Sequence, residues 1–264
     1  MPMTRATLAL LVLFVGCGTQ PGLNLVPNTG DRLSVTAELR IHSEELGYDL
    51  QYRVFLPPGY RLQSDLPVIY VTDGQAYVSI GGMPWLMQDL TEAGTIAPAM
   101  AVFIDSRDPN QLTIDRRREE FACNSAYIRF VTNELVPEIE ASYPASSRPR
   151  DRVMLGLSMG GLNAACFGFH AHETFGGVAM QSPALGRAPE LIAEYERSPR
   201  LPLKIFLSTG TVRDGEERSR AFRALLERKE YELSYVEVPH GHDWSNWGPL
   251  LDDVLVYFFG RRRR

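Results

Sequence analysis

The sequence predicts an α/β fold: a mostly parallel central sheet with antiparallel early strands and helices on both faces. Three observations carry this. Short apolar runs alternate with helix-period stretches through most of the chain, the runs end in turn residues, and the polar candidates for chemistry fall at their carboxyl ends. Open parallel sheets form their binding crevice at those ends. The first two elements, "LSVTAELRI" (33–41) and "YDLQYRVFLP" (48–57), are alternating and rich in β-branched residues, so they read as a hairpin at a sheet edge. Six runs follow: "PVIYVTDG" (67–74), "PAMAVFIDS" (98–106), "DRVMLGLS" (151–158), "FGGVAMQSP" (175–183), "LKIFLSTG" (203–210) and "YELSYVEVP" (231–239). They read as strands buried on both faces. Between them, "SAYIRFVTNELVPEIEASY" (125–143) is amphipathic, and "GGLNAACFGFH" (160–170) is a helix after a turn. "DGEERSRAFRALLERKEY" (214–231) opens acidic and ends basic, as a helix dipole favours, and "DWSNWGPLLDDVLVYFF" (243–259) makes the last helix.

With 264 residues, 44% of them hydrophobic, the chain can bury one large core. Its net charge of -5 understates how acidic the body is, because Arg5 and Arg261 to Arg264 sit at the ends. That balance argues against a nucleic-acid partner. Residues 1–17 have one basic residue, an apolar run too short to span a bilayer, and then Gly16-Cys17, the layout of an export signal. The stretch Phe14-Val15-Gly16-Cys17 resembles the lipobox of bacterial lipoproteins, which makes Cys17 the expected lipidation site and places the protein on the periplasmic side of a membrane, anchored by lipid. Residues 18–32, rich in Gly, Pro and Asn, read as a flexible tether reaching at most about 50 Å. Residues 33–264 read as the catalytic domain, with a short basic tail. Cys123 and Cys166 are expected as two buried free thiols, although an oxidising compartment permits a disulfide.

In "GLSMGG", Gly156, Ser158 and Gly160 fit Gly-x-Ser-x-Gly between a strand and a helix, the nucleophile elbow of α/β-hydrolases. A serine hydroxyl needs a base to take its proton. The chain order serine, acid, histidine selects the pair in "VPHGHDW", His242 first and His240 second, over His42, His170 and His172. The acid is expected at Asp214 in "LSTGTVRDGEE"; Glu216 and Glu217 fit the first turn of a helix, and Asp105 and Asp243 are weaker candidates. An oxyanion needs two donors. One is expected from the backbone N–H of Met159, the other from Gly74 or Gln75. No metal or cofactor is expected.

These residues resemble the esterase branch of α/β-hydrolases that holds enterochelin (enterobactin) esterases, feruloyl and acetyl esterases, S-formylglutathione hydrolase and mycolyltransferases. The resemblance covers roughly residues 50–260 and is carried by "VTDGQ", "RREEFACN", "NELVPEIE", "GLSMGGLNA", "FGGVAMQSPAL" and "GHDW" with Trp247 soon after. It implies an active Ser158, with His242 and Asp214, or a Ser-His dyad where the acid is poorly placed. The stretch with Arg117, Glu120, Cys123 and Asn124 looks like the one that borders the active site in those enzymes. Arg117 and Asn124 are thus substrate-binding candidates, and Trp247 another, either stacking on catechol rings or packing in the core. Cytoplasmic members carry an additional amino-terminal domain for which this chain has no room, so the likeness is closer to exported, single-domain siderophore esterases. The implied partner is a small-molecule ester, an iron-loaded catecholate trilactone whose anionic complex suits an arginine. Arg116 to Arg118 could instead form a solvated basic cluster. A carbohydrate acyl esterase and a noncatalytic surface binding protein on the same fold are the competing functions.

Overall fold

The computed structural model describes residues 34–261, so the leader with Cys17, the tether and the last three arginines lie outside the described residues. Eight strands form one sheet: β1 (Leu39–Ser43), β2 (Tyr48–Phe55), β3 (Val68–Val71), β4 (Met100–Asp105), β7 (Arg152–Leu157), β8 (Gly177–Gln181), β9 (Lys204–Gly210) and β10 (Glu232–Val238). Their order across the sheet is β1-β2-β4-β3-β7-β8-β9-β10. The short pair β5 (Arg107–Asp108) and β6 (Gln111–Asp115) forms a separate antiparallel hairpin. β1, β2 and β4 pair antiparallel and all later neighbours pair parallel, so the expected early hairpin lies at the sheet edge. The strand order moves one way from β3 to β4 and the other way from β7 onward. The topological switch therefore falls between β3 and β7, where a crevice opens beyond the strand ends.

The apolar runs that read as strands are buried as expected in β3, β4, β7 and β8, each of which is enclosed along its whole length. Two cores result, one on each face: Tyr70, Met154 and Phe167 belong to one, Ile69, Leu155 and Phe206 to the other. β10 departs from the expectation. As the outer strand it stays half-exposed, with only β9 beside it.

Two helical expectations are refined. Residues 125–143 are not one α-helix but Ser125–Arg129, a π turn at Phe130–Leu135, and Val136–Ser142. Pro137 lacks the N–H that would bond the preceding turn, which accounts for the local rewinding. The last helix is interrupted at Gly248-Pro249 by a 3-10 turn between Trp244–Trp247 and Leu251–Phe259. Helices at Gly74–Ser79, Met83–Glu92 and Pro189–Arg197 were not among the expected elements, although the last buries Leu191 and Tyr195 at helical spacing.

Cys123 and Cys166 are joined in a disulfide across 43 residues, which corrects the expectation of free thiols. The bond ties the segment after the short helix Arg117–Glu120 to the helix Met159–His170 that follows Ser158. Among the described residues, no helix is long and apolar enough to cross a membrane.

Candidate active site

Ser158 directly follows β7 with φ 55 and ψ -115, outside the regions an L-residue prefers, and the helix Met159–His170 begins at the next residue. The glycines make this turn possible. A Cβ on Gly156 would lie 2.3 Å from the backbone of Gly160 and 2.4 Å from Thr72 Oγ1, so the two arms of the elbow touch where no side chain fits. Positive φ recurs along the same edge at Asp73, Ser182 and Arg213, close after β3, β8 and β9. Backbone strain of this kind persists only where the surroundings enforce it.

His242 lies in the loop between β10 and the helix Trp244–Trp247. Its Nε2 is 2.8 Å from Ser158 Oγ, and its Nδ1 bonds Asp214 Oδ1. Asp214 is an acceptor when ionised, so Nδ1 carries the proton and Nε2 is left free to accept from the serine. The Asp214 side chain is fully buried while His242 is 40% exposed, so the acid sits behind the base and the base faces the cleft. Asp214 Oδ2 accepts four bonds: from Ser182 Oγ at 2.5 Å, the Gly210 N–H at 2.5 Å, Asn246 Nδ2 at 2.9 Å and Thr209 Oγ1 at 3.2 Å. Burial pushes the Asp214 carboxyl up, but the bonds from His242, Ser182 and Gly210 outweigh it and hold the group below the usual carboxylate range.

The other candidates separate clearly. His42 pairs with Asp49, His170 with Glu194, and His240 lies 3.4 Å from Ser245 Oγ. Asp105 bonds Gln51 and Arg107, and Asp243 caps the helix Trp244–Trp247. Glu216 accepts from the Asp214 N–H.

Met159 heads the helix after the serine, so its N–H has no acceptor within that helix. Gly74 and Gln75 head the helix that follows β3, the strand beside β7. A Cβ on Gly74 would come within 2.4 Å of the Phe103 backbone, which seats this turn directly against β4. The Gln75 side chain faces a different cavity, shared with Asp105 and Arg107.

A cleft of about 480 Å³ is lined by Ser158, Met159, His242, Arg117, Arg118 and Arg187, within the size range of small-molecule sites. Arg117 Nε bonds Asp73 Oδ1 at 2.6 Å and its Nη2 reaches the Leu157 carbonyl at 3.2 Å, fixing the guanidinium beside the elbow. Burial pushes the Asp73 carboxyl up, with Arg117 pulling the other way. Arg118 and Arg187 have no ion-pair partner among the described residues.

Two expected contacts take other roles. Asn124 is the N-cap of the helix Ser125–Arg129, its Oδ1 accepting from the N–H groups of Ala126 and Tyr127, which leaves that oxygen no part in substrate binding. Trp247 is 6% exposed, its indole N–H donates to Ser182 Oγ at 2.9 Å, and its ring stands edge-on to His242 at 5.0 Å. It belongs to the floor behind the base and not to a stacking surface. Sequence reasoning missed Ser182, Thr209 and Asn246, which surround the acid.

Residues 43–258 match the protein family described as "Putative esterase". The uncharacterized protein YjcH of Bacillus subtilis (strain 168) is 24% identical over 228 residues, covering 83% of this chain and 95% of that protein. An iron(III) enterobactin esterase of Escherichia coli O6:H1 is 29% identical over 203 residues, covering 72% of this chain and 49% of the esterase. The solved enterobactin esterase FES from Shigella flexneri, in the presence of enterobactin, superposes with a TM-score of 0.75 at 25% identity, covering 84% of this chain and 58% of that one. This chain thus spans about half the length of the enterobactin esterases it matches. With a family match over most of its length and a sheet that superposes on a solved esterase, the chain belongs to the putative esterase family, on the α/β-hydrolase fold.

Proposed function

We propose that this protein is a serine esterase that hydrolyses carboxylic esters through an acyl-enzyme on Ser158. The observation that carries the reading is the connected line Ser158, His242, Asp214 at the mouth of a cleft at the switch point of the sheet. His242 Nε2 takes the Ser158 proton as Oγ attacks the ester carbonyl, and Asp214 stabilises the imidazolium that forms. The developing oxyanion would be held by the N–H of Met159 and one from Gly74 or Gln75. His242 then returns the proton to the departing alcohol. Water, deprotonated by the same histidine, releases the acid and restores Ser158.

For the substrate, the arginine-lined wall favours an anionic ester. Arg118 and Arg187 present unpaired charge beside the serine, and Arg117 is held in place by Asp73. A ferric catecholate trilactone of the enterobactin kind has this charge, and the relatives named for enterobactin support that choice. The Cys123–Cys166 bond supports an oxidising compartment, in keeping with export and a lipid anchor at Cys17. The test is to mix the protein and its Ser158→Ala variant with the iron-loaded trilactone and follow ring opening by mass spectrometry. Opening that is lost in the variant is the expected result. An aryl acetate hydrolysed while the trilactone stays closed would reject the siderophore and keep the serine mechanism.

A further inference from the structure

We infer that Ser182 is a further positioning residue for this reaction: its hydroxyl holds Asp214 on His242, and Trp247 holds the hydroxyl. The inference rests on the reading of Ser158, His242 and Asp214 as the reacting group, its base and its acid.

Ser182 directly follows β8, is 1% exposed and has φ 46, a conformation a serine adopts only under constraint. Its hydroxyl offers one proton and two lone pairs. Trp247 Nε1 donates to the oxygen at 2.9 Å and Asn246 Nδ2 donates at 3.1 Å, and both groups are donors only. Asn246 Nδ2 has two hydrogens for three acceptors, Ser182 Oγ, Asp214 Oδ2 and the Gly241 carbonyl at 3.0 Å, so the indole holds one lone pair outright and neither partner can accept the hydroxyl proton. The one proton of Ser182 points to Asp214 Oδ2, 2.5 Å away.

That orientation decides how Asp214 is used. A carboxylate can turn about its Cβ–Cγ bond, and only one of its oxygens faces His242. Here Oδ2 is filled by four donors, from β9, the turn after β8 and the helix Trp244–Trp247, so Oδ1 is left for the imidazole. The same indole that donates to Ser182 stands edge-on to the His242 ring. Trp247 thus touches the base directly and fixes the acid through one hydroxyl.

The backbone at Ser182 is held separately, its N–H donating to the Ser208 carbonyl at 2.8 Å. Removing the hydroxyl therefore leaves the turn in place. Ser182→Ala and Ser182→Gly, made in the full chain and assayed with a neutral aryl acetate, should each lose about tenfold or more in kcat with KM unchanged, the scale of a bond to a charged group. The glycine variant should melt higher than the alanine variant, because φ 46 suits glycine, and yet be no more active. Trp247→Phe, which keeps a ring on His242, should lower kcat severalfold in the wild type and add nothing to Ser182→Ala. Activity within twofold of wild type in both serine variants overturns the inference. So does activity that recovers with stability in the glycine variant, or a Trp247→Phe effect that multiplies unchanged onto Ser182→Ala. Should the serine variants fail to fold, an unchanged kcat in Trp247→Phe refutes the inference by itself. A wild type that neither turns over the acetate nor takes a fluorophosphonate at Ser158 overturns both readings, and is told apart because the failure precedes any substitution.

Discussion

Replacing Asp214 by Asn exchanges one carboxylate oxygen for an NH2 group, and the structure dictates where that group goes. Oδ2 receives a hydroxyl from Ser182, another from Thr209, the Gly210 N–H and the Asn246 amide. An NH2 group in that place would face two groups that can only donate, the Gly210 N–H and the Asn246 amide, and leave buried hydrogens unpaired, at about 1–3 kcal/mol each. The amide oxygen of the new side chain must take the Oδ2 position, so its NH2 must face His242. There it donates to Nδ1, which moves the ring proton to Nε2, 2.8 Å from Ser158 Oγ. The imidazole can no longer accept from the serine. A wrong tautomer costs serine hydrolases about 10⁴-fold in kcat, or roughly 5.4 kcal/mol of barrier. Aryl acetate turnover and the rate of fluorophosphonate labelling at Ser158 should fall together by that order. Thermal stability should fall far less, by about 1–3 kcal/mol, since the cage of donors keeps its acceptor. An Asp214→Asn variant within tenfold of wild type would refute the reasoning and leave a Ser158-His242 dyad as the working unit.

Ser158→Ala should abolish ester turnover while leaving the melting temperature within a few degrees of wild type; full activity in the purified variant would reject the nucleophile. Arg118→Ala with Arg187→Ala should raise KM for an anionic ester about tenfold, leave a neutral acetate unchanged, and weaken the salt dependence of kcat/KM, which initial rates from low to moderate ionic strength would read. Glu120 is fully buried and accepts a bond from the Tyr48 hydroxyl, and burial pushes its carboxyl from the ordinary 4.5 up to about 8, against weaker pulls from Tyr48 and Arg116. The stability that Glu120 confers is complete below about 4.5 and is lost as pH rises through about 8. Wild type should therefore lose about 1.4 kcal/mol per pH unit relative to Glu120→Gln across that window. Urea unfolding of both proteins at pH 5 and pH 8 measures this, and parallel curves would contradict it.

What could be read in the sequence was what the chain determines locally. The strands were visible because a buried parallel strand must be apolar at consecutive positions, and the elbow because only glycine fits where Gly156 and Gly160 touch. Asp214 and His242 were selected by their places after strands, in the order serine, acid, histidine, and the structure brings them together with Ser158. The supports of the acid gave no such signal. Ser182 meets Asp214 across 32 residues and Trp247 meets Ser182 across 65, and a lone serine after a strand looks like any turn residue. The pairing of Cys123 with Cys166 depended equally on how two distant segments pack. Trp247 sits in a helix of four residues, too short for a period to show which face is buried. Asn124 is different. Directly ahead of a helical stretch, it carried a readable N-cap signal, and assigning it to substrate set that local signal aside. The residues of the proposed reacting line could be picked out by chain geometry, while those that surround Asp214 become visible only once the strand ends are brought together. Ser182, whose hydroxyl accepts from the Trp247 indole and donates to Asp214, is such a residue, and it is where the next substitution should be made.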